Sequence, residues 1–144
     1  MALKDKKIPA GRPVDPALAE AIRGRLIDGT VGCAAAFTLA KEKGVAPLTV
    51  GEAADSLGIH LSHCQLGLFG FPGHAKAWDS PVWKEANLPA GLEEALRSAL
   101  DQDGSLSCAA AWTVADRFGV PRAQVGRLAS RLNIKIKRCQ LGAF

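Results

Sequence analysis

Sliding the chain along itself by 75 positions superimposes one half on the other, and this internal repeat limits the possible folds more than any other feature. Cys33 falls on Cys108 and Cys64 on Cys139, and the stretch from Cys33 to Phe69 matches Cys108 to Phe144 without a gap. Both copies read Cys-Ala-Ala-Ala-aromatic-Thr-x-Ala, then Gly-Val, then Val-Gly, and both finish Cys-Gln-Leu-Gly-x-Phe. Upstream the offset becomes 74, so Ile22 and Leu26 match Leu96 and Leu100, with one residue inserted before Gly104. A period this long describes tandem domains, whereas solenoid units run to roughly 20–50 residues. The expected division is a basic arm at 1–14, a first repeat at 15–70, a linker at 71–88 and a second repeat at 89–144.

Within each copy the apolar spacing is helical. Leu18, Ala21, Ile22 and Leu26 share one face of a helix expected from about Asp15 to Ile27, with Pro16 near its start. Leu92, Ala95, Leu96 and Leu100 do the same in the second copy, and Asp28-Gly29 and Asp103-Gly104 read as stops. Two further helices follow, joined by a turn at Gly44 or Gly119. After Leu57 and Leu132 the period changes to two: Ile59-His60-Leu61 and Ile134-Lys135-Ile136-Lys137 read as half-buried strands. Ala and Leu carry most of the apolar content, and with three Trp, five Phe and no Tyr the composition favours small helices over a large sheet. The linker carries Pro72, Pro81, Trp78 and Trp83, and two Trp are costly to leave in water, so both are expected to pack on a domain.

The pair of helices around Gly119 carries a specific frame. With Ala111 as the first position, Ala115 is the small fifth residue, Gly119 the ninth and Val125 the fifteenth. Val114, Phe118, Val120 and Leu128 fall on the buried positions between them, and Ala40, Gly44 and Val50 repeat the spacing. This resembles the DNA-binding helix-turn-helix, whose second helix enters the major groove. Ala115 permits a close helix crossing, Gly119 a positive φ where the first helix stops, and Val125 seals the pair. The added strand and turn resemble a winged helix. The fold class implied is mainly α: two tandem three-helix domains, each with a short strand or wing.

Charge separates the copies. The arm holds Lys4, Lys6, Lys7 and Arg12 against Asp5, the first repeat balances at −2 and the second at +3, within a net +4. After Asp116 come Arg117, Arg122, Arg127, Arg131, Lys135, Lys137 and Arg138, with no acid to the last residue. Arg122 opens the second helix of its pair, where the helix dipole also favours phosphate. Arg127 and Arg131 lie one turn apart on the face expected to meet the groove. The resemblance assigns double-stranded DNA as the partner, with Arg122, Gln124, Arg127, Arg131, Lys135, Lys137 and Arg138 as contacts and Gly126 allowing a phosphate close to the backbone. The first copy places Pro47, Glu52, Ser56, His60, Ser62 and His63 at the positions of six of these bases, and Lys43 at that of Phe118. It is therefore expected to contact protein, or itself, instead of DNA.

No nucleophile elbow, phosphate-cradling loop or carboxylate pair occurs, so no enzyme and no cofactor are expected. Cys33, Cys64, Cys108 and Cys139 form no CxxC pair. Small apolar packing is the first reading for them, with a redox pair or a metal site built from all four as alternatives. The start lacks a signal-peptide core and no run reaches membrane-spanning length, from which a cytoplasmic location is expected. The expectation is a DNA-binding transcription regulator docking through the second repeat. Its alternatives are a protein-interaction adaptor on the same frame without DNA binding, and a thiol- or metal-responsive switch.

Overall fold

The computed structural model describes residues 13–144, so residues 1–12 of the basic arm, with Lys4, Lys6, Lys7 and Arg12, lie outside the described residues. The chain is mainly helical. Its order is α1 (Pro16–Arg23), β1 (Val31–Gly32), α2 (Cys33–Lys43), α3 (Pro47–Ser56), β2 (Leu61–Ser62), α4 (Leu92–Ser98), β3 (Leu106–Ser107), α5 (Cys108–Phe118), α6 (Arg122–Arg131) and β4 (Ile136–Lys137), with one 3-10 turn at Ala77–Asp79. The elements from β1 to β2 recur as β3 to β4 at the 75-residue offset seen in the sequence. No helix among the described residues is long and apolar enough to cross a membrane.

Local chemistry sets the helix ends. The Asp15 carboxylate accepts from the Leu18 amide at 3.2 Å and caps α1, with Pro16 in the first helical turn. The helix stops at Gly24, earlier than expected, and the Asp28-Gly29 pair turns the following loop so that Ile27 bridges Thr30. Gly44 and Gly119 end α2 and α5 in the left-handed region, at φ 65° and 66°. Val45 and Val120 then reach back to the carbonyls of Ala40 and Ala115, both at 3.0 Å. That is the turn the helix pair needs.

Among the described residues the expected wing is not formed. β2 pairs in parallel with β1, and β4 with β3, so each short strand after a helix pair returns beside the residues that precede that pair. A wing requires an antiparallel hairpin, and the parallel partner takes up the strand's hydrogen bonds in its place. The pleat alternates as expected: Ile134 is buried while Lys135 and Lys137 are exposed.

The described chain forms two compact units whose bounds are not those of the repeats. One contains the residues up to Cys64 together with Gln140–Phe144, and the other is Gln65–Cys139. The last five residues of the second repeat thus belong to the unit of the first. In the first unit α1 packs on α2 and α3, burying Leu18, Ile22, Val31, Ala36, Leu39, Val50 and Ala54, with Leu141 and Ala143 beside them. In the second unit α4 packs on α5 over Leu92, Leu96, Leu106, Ala111, Val114 and Val125, with Leu66 fully buried among the same unit's residues. Phe118 and Val120 are half-buried, and Lys43 is exposed at the place of Phe118.

The two helical glycines explain the exchange. A Cβ on Gly51 would lie 1.8 Å from the Leu141 carbonyl oxygen, and one on Gly126 would lie 1.9 Å from that of Leu66. Ala is favoured over Gly inside a helix by about 1 kcal/mol, so helix propensity alone predicts that Gly51→Ala and Gly126→Ala stabilise. The contact reverses the sign: each substitution is expected to destabilise by about 1–3 kcal/mol through overpacking. Gly24→Ala, whose Cβ meets only the Glu20 and Ala21 carbonyls at 3.5 and 3.6 Å, serves as the tolerated control. Urea midpoints of the three variants check this.

Candidate functional site

The outward face of α6 holds most of the expected contact residues, and the structure gives each a local partner or a covered position. Arg122 is the most engaged. Its Nε and Nη2 donate to Asp116 Oδ1 and Oδ2 at 3.1 and 2.8 Å, and its Nη1 donates to Gln65 Oε1 at 2.7 Å. Its guanidinium also lies 3.8 Å from the centre of the Trp112 ring. A bidentate carboxylate, an amide oxygen and an aromatic face satisfy a planar guanidinium well. The same contact holds the Asp116 carboxyl below its ordinary range, chiefly through the hydrogen bond from Arg122.

Segment 65–85 lies along the rest of the face. Gln124 is buried and its Nε2 donates to the Lys84 carbonyl at 2.9 Å. Arg131 Nη1 pairs with Glu85 Oε1 at 2.6 Å. Arg127 sits 6.0 Å from the Trp78 ring centre, and Trp78 meets Trp83 edge to face at 6.2 Å. Trp78 thus lies beside α6, and Trp83 packs on Trp78. Gly126, expected to admit a phosphate, instead admits the Leu66 carbonyl, so that space is already filled.

The basic tail of the repeat is compensated within its own unit. Lys137 Nζ pairs with Asp103 Oδ2 at 3.2 Å, and Arg138 pairs with Asp101. Four of the seven bases after Asp116 thus face an acid, namely Arg122, Arg131, Lys137 and Arg138. Lys135 stays exposed, and Arg117 lies over the Phe118 ring at 5.6 Å. Reading charge along the sequence overlooked these acids because all of them precede the basic run. Asp101 and Asp103 return beside it through β3–β4, Glu85 through the linker and Asp116 across the turn between α5 and α6.

Cys33 and Cys108 open α2 and α5 and are buried, Cys64 is buried and Cys139 half-buried, and all four thiols are free of disulfides. Among the described residues no group of three or more His, Cys, Asp or Glu is placed to hold a metal ion. In the first repeat His60 is exposed, while His63 Nδ1 shares a 3.0 Å hydrogen bond with the Ser62 hydroxyl.

The residues missed by sequence reasoning are those that cover the helices: Leu66, Lys84 and Glu85 on α6, and Leu141 on α3. Their one sequence signal was paired. A glycine follows the sealing valine in both second helices, and the Gln-Leu-Gly segment is identical in both copies. Compared with known proteins, the chain matches no family model, no curated protein and no solved structure.

The Asp103 carboxylate accepts from the Ser105 hydroxyl at 2.6 Å and the Ser105 amide at 3.0 Å as well as from Lys137. These bonds, that of the Ser105 hydroxyl first, hold its carboxyl far below the ordinary range. A native pKa below the unfolded value of about 3.9 contributes stability that is present above that pH and lost as pH falls toward the native value. The wild-type melting temperature is therefore expected to fall more steeply than that of Asp103→Asn between about pH 4 and 2. Thermal melts followed by circular dichroism measure both slopes, and equal slopes would contradict the assignment.

Proposed function

We propose that the chain is a non-catalytic protein-interaction adaptor whose helix pairs hold short Leu-Gly-x-Phe segments instead of entering a DNA groove. The observation that carries this reading is the paired approach of a leucine carbonyl to the glycine of each second helix. Gly126 falls in the middle of the face that the helix-turn-helix resemblance assigns to DNA, and Leu66 occupies it. The buried Gln124 and the Arg131–Glu85 pair support the same reading, because groove insertion would expose the first and break the second. Exposed ion pairs are worth only about 0–1 kcal/mol each and exchange readily for phosphate, so the covered glycine weighs more than the compensated charge.

DNA binding through α6, as a transcription regulator would use it, requires segment 65–85 to leave. Titration of labelled duplex DNA over a salt series separates the two readings. The adaptor reading predicts weak binding that Arg127→Ala with Arg131→Ala leaves unchanged. A log–log salt slope of several times −0.9, lost in the double variant, would instead assign the face to DNA.

A further inference from the structure

The segment that fills the first unit's groove arrives from elsewhere in the chain. Gln140–Phe144 belongs to the first unit, whereas Cys139, the residue before it, belongs to the second. The groove lies over Gly51 of α3, where the Leu141 carbonyl rests, and Leu141 and Ala143 are buried in the same unit. Gly142 also lies close enough to Leu48 that a Cβ there would be 2.9 Å from its Cδ1. The contact is made by one backbone carbonyl and small apolar groups. Any chain offering that sequence presents the same groups.

The backbone marks where the segment can be released. Arg138, just ahead of the crossing residue, has φ 55°, and His63, its equivalent in the first repeat, has φ 49°. Both are non-glycine residues in the left-handed region, a conformation that L-residues seldom adopt. A strained connection leading into an exchanged element favours passing that element to another copy.

We infer that the Gly51 groove accepts the Gln140–Phe144 segment of a second copy of this chain. This rests on the adaptor reading and names its partner. The chain's own segment competes at an effective concentration of about millimolar, so docking between copies is seen best when that competition is removed.

Two complementary chains test it. One ends at Cys139 and keeps an intact groove without a segment; the other is full length with Gly51→Val and offers a segment without a groove. Light scattering on the equimolar mixture is expected to give a species of twice the monomer's 15.1 kDa, with each chain alone remaining monomeric. A mixture that stays monomeric while the shortened chain keeps its helical circular dichroism overturns the inference. So does equal dimerisation of either chain alone. If the shortened chain loses its helical signal, a synthetic peptide of residues 138–144 is titrated in. Recovery of the signal supports docking in trans, and no recovery up to about millimolar peptide overturns it. The duplex titration is independent of these masses, so failure of the adaptor reading and failure of the inference are told apart.

Discussion

A leucine carbonyl resting on the α-carbon of a helical glycine is the contact from which the rest of this structure follows. It occurs twice, at Leu141 on Gly51 and at Leu66 on Gly126, and both pairs are related by the 75-residue repeat. No other residue type leaves room for the carbonyl. The Gln-Leu-Gly segments are thereby fixed to their helices, and segment 65–85, which continues from the first of them, lies along α6.

Once that segment is in place, the surface of α6 changes character. A helix bearing Arg122, Arg127 and Arg131 reads as a basic reader, but Gln65, Trp78 and Glu85 answer those groups one by one. Asp101 and Asp103 do the same for Arg138 and Lys137 from the turn ahead of β3. The second repeat keeps its positive balance while four of its cations pair with acids of the same unit.

Helix order, turn positions and the core were legible in the sequence because each depends on local spacing. Leu18 and Ile22, Ala40, Val50, Ala115 and Val125 are buried where the spacing placed them, and Gly44 and Gly119 take the left-handed turn their spacing required. The parallel β1–β2 and β3–β4 pairs were not legible, since two-residue strands leave no alternation to read before α2 or α5. The exchange of the closing segments was hidden for a different reason. The Gln-Leu-Gly core is the same in both copies, so the sequence does not specify which copy covers which helix. The cover on α6 was not legible because a glycine after the sealing valine does not say that the Leu66 carbonyl fills the space beside it.

The most direct measurement of the central contact is a carbon-edited nuclear Overhauser spectrum of the full chain. Cross-peaks from the Leu141 α-proton to the Gly51 α-protons, and from the Leu66 β-protons to those of Gly126, are the predicted result. Cross-peaks joining Leu66 to Gly51 and Leu141 to Gly126 would contradict the exchange, and their complete absence would leave both second helices uncovered and overturn the account of what these helices hold.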